Sequence, residues 1–218
     1  MVSTKLVSKD VAEIESKLKT FKGDMVRIEF LENCLRQLVP NDAKRFCHLK
    51  LGEMYAVRLM YGLAAKNMGA AAECATTYKD KIDFYMLEMV YLIKINDFLL
   101  LDKAFKKAIL CGNEHEKEIV KGFLKHEIIS QAQEYEKKNK RSSAAMLYER
   151  LMEMSIINDQ ERKELMAKLA TLNSGLGKIK EAMRYEQMMK RPIEPRRSND
   201  ADGNVRRVSF QDLGIDSV

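Results

Sequence analysis

The sequence predicts an all-α protein: a right-handed α-solenoid of about five antiparallel helical hairpins with a flexible C-terminal tail. Only three of the 218 residues are proline and 14 are methionine, a composition that favours long uninterrupted helices. Turn and capping signals divide the chain into about ten helical segments. Small residues also recur at intervals of about forty positions, as expected when one supersecondary unit is repeated along a chain.

Pairs of turn-forming and capping residues mark the helix boundaries. The clearest boundaries are Gly23-Asp24, Pro40-Asn41, Asn96-Asp97, Gly112-Asn113, Asn139 to Ser142 and Ile157-Asn158. Asn113 and Glu116 have the spacing of a capping box, in which each side chain bonds the backbone N–H of the other residue. Asn158 and Glu161 have the same spacing. Short connections make neighbouring helices antiparallel, so we expect consecutive helices to form hairpins.

The segment from Ile82 to Ile95 is the most apolar part of the chain. Its charged residues are Asp83, Glu88 and Lys94, and it is too short to span a bilayer. A helix that is apolar on nearly every side must be covered by its neighbours or by a partner. We expect a central helix packed by its neighbours, with a partner-binding surface as the alternative.

The repeat consists of a small residue followed by alanine twelve positions later. The four pairs are Gly52 with Ala64, Leu92 with Ala104, Ala132 with Ala144 and Ala170 with Ala182. Two helices approach closely where small residues face each other, so each pair predicts a contact within one hairpin. The second pair departs from this pattern, because leucine occupies its small position.

Residues 43 to 189 resemble the tetratricopeptide repeat family. The stretch "HLKLGEMYAVRLMYGLAAKNMGAAA", from His48, has the Leu-Gly, Tyr and Ala order of that family, and "LGKIKEAMRYEQM", from Leu176, resembles a second helix of such a repeat. The period of 38 to 40 residues and the missing closing proline are more similar to the repeats of soluble NSF attachment proteins. Within a repeat domain of residues 1–189, residues 8–39 are then a divergent first hairpin.

The resemblance implies a non-enzymatic protein–protein interaction scaffold or adaptor. Stacked hairpins present a concave groove built by the first helix of each pair, and such a groove binds an amphipathic helix or an extended peptide. The positions that the resemblance places in this partner-binding groove are Lys50, Glu53, Met86, Met89, Ile93, His126, Gln133 and Lys137. They predict a groove that is apolar in its middle and charged toward its ends.

The sequence shows no catalytic constellation, no phosphate-binding glycine loop and no metal motif, so neither an enzyme nor a cofactor is expected. A role as the regulatory subunit of an enzyme remains an alternative. We expect the four cysteines to be buried free thiols. Cys111 and His115 have the spacing of two metal ligands on a helix, but Gly112 between them predicts a helix break. The N-terminus has no apolar run typical of a signal peptide, so we expect a cytosolic protein.

The formal net charge of +6 permits contact with nucleic acid or an anionic surface. An RNA- or ribosome-associated helical-repeat protein is therefore the alternative function. The densest basic run is Lys137, Lys138, Lys140 and Arg141, and it lacks aromatic residues for base stacking. We interpret this run as the solvated C-terminus of a helix, where lysine complements the helix dipole.

Residues 190–218 are predicted to be a flexible tail with a linear motif at 205–215. Arg207, Val208, Ser209 and Phe210 form "RVSF", which resembles the R-V-x-F docking peptide of type 1 protein phosphatase regulators. "RRVS" resembles a basic-directed kinase site at Ser209. Three outcomes remain open for this motif: docking on a partner, folding back onto the protein's own groove, or no docking at all.

Overall fold

The computed structural model describes residues 10–37 and 39–190, and every regular element in these ranges is an α-helix. The ten helices are α1 (Val11–Thr20), α2 (Asp24–Leu35), α3 (Asn41–Val57), α4 (Tyr61–Cys74), α5 (Tyr78–Ile95), α6 (Phe98–Cys111), α7 (Glu114–Lys137), α8 (Arg141–Glu153), α9 (Asp159–Gly175) and α10 (Ile179–Lys190). The described ranges contain no strand, which confirms the all-α prediction.

The helix starts follow from local side-chain chemistry. Both predicted capping boxes are present: the N–H of Glu116 donates to Asn113 Oδ1 at 2.9 Å, and the N–H of Asn113 donates to Glu116 Oε2 at 2.8 Å. Asn158 and Glu161 make the same reciprocal pair at the start of α9. Each box satisfies two backbone donors that a helix start would otherwise leave without partners.

Left-handed residues close every second connection from α3 onward. They are Leu59 (φ 59°), Asn96 (φ 56°), Asn139 (φ 56°) and Gly177 (φ 76°), which follow α3, α5, α7 and α9. At Asn139 its own N–H donates to the carbonyl of Glu136 and the next N–H donates to the carbonyl of Tyr135, both at 2.8 Å. The other three turns repeat these two bonds, a Schellman motif that reverses the chain within a few residues.

The connections between these turns are of a different kind. Residues 75–77, 112–113 and 154–158 join α4 to α5, α6 to α7 and α8 to α9. Each ends in a residue with extended backbone whose side chain caps the next helix; these residues are Thr77, Asn113 and Asn158. Tight left-handed turns and side-chain-capped connections therefore alternate along residues 58–178.

The positions of the left-handed turns show that the second sequence repeat was aligned three residues too far along the chain. Ala64, Ala144 and Ala182 each lie five positions after a left-handed residue, whereas Ala104 lies eight positions after Asn96. Leu101 occupies the equivalent position, and both Leu101 and Ala104 are buried. Residues three apart share a helix face, so the sequence pattern could not distinguish these two registers.

From α2 onward each helix packs against the next, while α1 packs against α3 and α5 also packs against α7. Ion pairs link further helices that are two apart in the chain. These pairs are Arg45 with Asp80, Glu73 with Lys107, Asp102 with Arg150, and Lys125 with Glu161. The helices therefore contact their near neighbours along the chain both directly and through long side chains.

Two clusters of buried side chains form the core. The smaller cluster belongs to α1, α2, α3 and the start of α4, and includes Ile14, Leu31, Cys34 and Cys47. The larger cluster surrounds α5 and extends to α9. As the sequence predicts, α5 is packed by several neighbours, namely α4, α6 and α7. Among the described residues, no helix combines the length and apolar character needed to cross a membrane.

Candidate partner-binding surface

The eight positions predicted for the groove lie on three helices that adjoin one another. Lys50 and Glu53 are on α3, Met86, Met89 and Ile93 are on α5, and His126, Gln133 and Lys137 are on α7. The helix α5 packs against α7, and Arg45 of α3 reaches Asp80 of α5 at 3.0 Å. The helix α5 therefore contacts both α3 and α7.

Two of the positions on α5 were wrongly placed on the groove surface. Met89 and Ile93 are 0% and 1% exposed and belong to the larger core cluster, so a partner cannot reach them. Met86 is half-buried at the edge of the same cluster. The accessible face of α5 carries Leu87 and Lys94, each one residue further along than a predicted position. One residue is a rotation of about 100° around a helix, which separates the core face from the outer face.

The three positions on α7 are exposed, as the sequence predicts for surface residues. His126, Gln133 and Lys137 lie on a single stripe of the helix that also contains Ile119 and Gly122. Gly122 faces open space, because a Cβ atom at this position would meet nothing within 4 Å. The imidazole Nδ1 of His126 lies 3.2 Å from Glu127 Oε1. This stripe is the longest accessible helix face among the groove candidates.

Lys50 and Glu53 of α3 interact with each other, at 2.9 Å between Nζ and Oε2. Lys50 also lines a cavity of about 370 Å³ between α1, α2 and α3. The walls of this cavity include Leu18, Lys19, Met54 and Val57. Among the predicted groove positions, Lys50 is therefore the one that also faces this cavity.

The basic run that the sequence singled out extends from the last residue of α7 to the first residue of α8, and all four side chains are exposed. Lys138 pairs with Glu134 at 2.5 Å, and Arg141 donates to the carbonyl of Gly175 at 3.2 Å. Lys137 and Lys138 are at the solvated C-terminus of α7, as the sequence predicts, but Lys140 and Arg141 belong to the start of α8. Arg141 also connects this turn to the turn that follows α9.

The described residues offer no metal centre: they contain no cluster of three or more His, Cys, Asp or Glu side chains that could hold an ion. Cys111 and His115 are separated by the connection between α6 and α7, so the predicted helix break at Gly112 is confirmed. Cys34 and Cys47 are buried, as expected, but Cys74 and Cys111 are partly exposed. The Cys34 and Cys47 thiols share a hydrogen bond, which lowers the pKa of Cys34 and raises that of Cys47.

No family model, no curated protein and no solved structure matches this chain. The surface must therefore be interpreted from its own chemistry. The tail positions Arg207, Val208, Ser209 and Phe210 lie outside the described residues, so the linear motif stays a prediction.

Sequence reasoning missed two features of the described chain. Burial raises the pKa of Glu88 on α5 to about 7, although Lys107 lowers it in part. The sequence contained a signal for this carboxyl group, because Glu88 interrupts the most apolar segment. The second missed feature is the left-handed backbone conformation of Leu59, because leucine is not a residue type that favours this conformation.

Proposed function

We propose that this protein is a non-enzymatic interaction scaffold built as a right-handed α-solenoid of about five antiparallel hairpins. The hairpins pair α1 with α2, α3 with α4, α5 with α6, α7 with α8 and α9 with α10. The repeat domain of residues 1–189 resembles the tetratricopeptide type, while the tail predicted for residues 190–218 lies outside the described residues from residue 191 onward. Its partner is a protein segment, either an amphipathic helix or an extended peptide.

The alternation of the two kinds of connection supports the hairpin pairing. Left-handed Schellman turns follow α3, α5, α7 and α9, while side-chain-capped connections precede α5, α7 and α9. A chain that repeats one turn within each pair and another between pairs is repeating a two-helix unit. The first pair differs, because α1 packs against α3. It serves as the divergent end of the array.

Contacts between helices two apart carry the proposal. In a stack of hairpins the first helices of successive pairs lie side by side, and so do the second helices. The pairs Arg45 with Asp80 and Lys125 with Glu161 join first helices, and α5 packs directly against α7. The pairs Glu73 with Lys107 and Asp102 with Arg150 join second helices. Together these contacts favour two layers of helices.

The groove is formed by α3, α5 and α7, whose accessible side chains include Glu53, Leu87, Lys94, His126, Gln133 and Lys137. An apolar position at Leu87 is flanked by charged and polar groups, which suits the apolar face of an amphipathic partner helix. We place the protein in the cytoplasm, because buried thiols such as Cys34 and Cys47 remain reduced there.

Affinity purification with matched variants tests this function. We expect the proteins captured by the full chain to be lost when His126→Glu and Gln133→Arg are combined, since both side chains stand on the accessible stripe of α7. Lys106→Glu is the control, because Lys106 is also exposed but lies on α6, a second helix. If the full chain, the His126→Glu, Gln133→Arg variant and the control all capture the same proteins, the stripe on α7 is not the binding site.

A further inference from the structure

The four left-handed turns lie along one edge of the molecule. We define this turn edge as residues 57–63, 94–100, 137–143 and 175–180. The ammonium group of Lys94 stands 4.9 Å from the ring centre of Tyr61, and the hydroxyl of Tyr135 donates to the carbonyl of Lys94 at 3.3 Å. Arg141 donates to the carbonyl of Gly175 at 3.2 Å. These contacts join each turn to the next, with Tyr135 lying two residues before the third turn.

Large aliphatic side chains stand out from this edge into solvent. Val57 is 81% exposed, Leu59 is 70% exposed and Leu99 is 69% exposed. Met60, Leu63 and Ile95 add further accessible apolar surface beside them. Single exposed aliphatic residues are ordinary, but a group of them on adjoining turns indicates a surface that contacts something apolar.

The residue type at Leu59 is a second indication that this surface contacts something apolar. Its backbone is left-handed, a conformation that costs a side chain with a Cβ more than it costs glycine or asparagine. The other three turns have asparagine or glycine at this position: Asn96, Asn139 and Gly177. The exposed leucine side chain gains little from packing inside the protein, so neither turn chemistry nor core packing accounts for it.

The turn edge is also strongly basic. Its four ranges contain eight Lys or Arg residues and one acidic residue, Asp97. The carboxylate of Asp97 is engaged in capping α6, where it accepts the N–H of Leu100 at 3.0 Å. Glu134 lies close by and pairs with Lys138. Eight basic residues and one acidic residue give this edge a net charge of +7, whereas the whole chain has a formal net charge of +6.

We propose that the turn edge binds the surface of an anionic lipid bilayer. Val57, Leu59 and Leu99 enter the boundary between headgroups and acyl chains, while basic residues such as Arg58, Lys140 and Lys178 face the anionic headgroups. Stable attachment to a membrane surface requires such a combination of apolar insertion and positive charge. The contact is shallow and differs from a membrane span.

The aliphatic character of the edge favours lipid over nucleic acid. Binding of single-stranded nucleic acid relies on aromatic side chains that stack on bases. Tyr61, an aromatic residue on the edge, already stacks on Tyr91, with 6.1 Å between ring centres, and Lys94 lies over it. Exposed valine and leucine offer no stacking surface, but they do partition into the membrane interface.

Cosedimentation of the full chain with vesicles tests the proposal. We expect binding to vesicles of phosphatidylcholine mixed with phosphatidylserine, weaker binding at high salt, and little binding to phosphatidylcholine alone. Lys140→Glu combined with Lys178→Glu should weaken binding by about tenfold or more, since each basic residue near the surface contributes to the attraction. Leu59→Asn should weaken binding several-fold while keeping the turn, because asparagine occupies two equivalent turns.

Two control variants match these changes. Lys106→Glu changes an exposed charge on α6, and Leu110→Asn changes a leucine that is 83% exposed at the other end of α6. Both should bind vesicles like the unchanged chain, and so should the His126→Glu, Gln133→Arg groove variant. The proposal fails if anionic vesicles do not bind, if the controls lose as much binding as the edge variants, or if the chain binds a single-stranded RNA oligonucleotide but not vesicles.

Discussion

The carboxylate of Glu88 on α5 lies against the backbone of Gly69 on α4. A Cβ atom added to Gly69 would stand 2.8 Å from Glu88 Oε1, so the glycine makes room for the carboxyl group between the two helices. Glu73 of α4 and Lys107 of α6 are the charged groups that act on it. The helix that contains the apolar segment from Ile82 to Ile95 therefore carries a partly buried acid whose pKa lies close to neutral.

The first prediction is that Glu88 makes the fold less stable as pH rises. Its pKa is about 7 in the folded chain and about 4.5 in the unfolded chain, so the unfolded state loses this proton first. The destabilisation is absent below pH 4.5 and complete above pH 7. Glu88→Gln should therefore stabilise the protein at pH 8 by on the order of 1 kcal/mol, allowing for partial hydration of the site.

Urea unfolding at pH 5 and pH 8 measures this effect. The difference in unfolding free energy between Glu88→Gln and the unchanged chain should be clearly larger at pH 8. An equal difference at both pH values would show that the amide acts through packing and that Glu88 titrates normally.

The second prediction concerns the close contact between α3 and α4. A Cβ atom at Gly52 would stand 2.6 Å from Met68 Cε and 3.4 Å from the carbonyl oxygen of Ala64. Gly52→Leu should cost roughly 1 to 3 kcal/mol, because it forces two packed helices apart. Ala144, which is fully buried, should respond similarly to leucine.

Gly122 provides the matched control for this prediction. It is a helical glycine with open space around it, so Gly122→Leu should be tolerated. Gly122→Ala should stabilise the protein by roughly 0.5 to 1 kcal/mol through its higher helix propensity. Thermal unfolding measures the stability of each variant. Unchanged unfolding midpoints for Gly52→Leu and Ala144→Leu would contradict the prediction that helices pack closely at these two positions.

The third prediction separates stability from surface binding at Leu59. Leu59→Gly should raise the unfolding free energy by about 1 kcal/mol, because glycine adopts the left-handed conformation without strain. Asn139→Gly should change it much less, since asparagine already tolerates this conformation. Denaturant unfolding measures both variants. A loss of stability in Leu59→Gly would show that the side chain stabilises the fold and would remove one argument for a lipid-facing role.

The fourth prediction addresses the tail. We expect Val208→Ala combined with Phe210→Ala to lose at least one partner that the full chain captures, or to change hydrogen exchange in the groove, since Phe210 is predicted to be an anchor. Affinity purification and hydrogen exchange on both chains measure these two outcomes. If the variant captures the same partners and shows the same hydrogen exchange in the groove, residues 205–215 do not dock and act only as a solubilising segment.

Local chemistry explains which parts of the fold the sequence could predict. The boxes at Asn113 and Asn158 depend on residues three apart, and Asn96, Asn139 and Gly177 suit the left-handed turns they occupy. Leu59 could not be predicted because its residue type disfavours that conformation.

The candidate surface was harder to predict, because it depends on the rotation of each helix. An error of one position on α5 placed Met89 and Ile93 at the groove, although both are buried. Only the packing of α5 against α4, α6 and α7 fixes that rotation. On α7 the exposed stripe was found, since polar residues at helical spacing mark a solvent-facing side.

Most contacts in this protein join helices that are close in sequence, and this affects how the chain folds. Between residues 10–37 and 39–190, the principal contacts join helices that are adjacent or two apart in the chain. Chains with such low contact order close short loops first and fold quickly. The buried residues of the smaller cluster come from α1, α2, α3, Val39 and the start of α4, so all of them have been synthesised before the later helices. Each later pair of helices can then be added to a surface that is already ordered, so the protein can fold progressively as it leaves the ribosome.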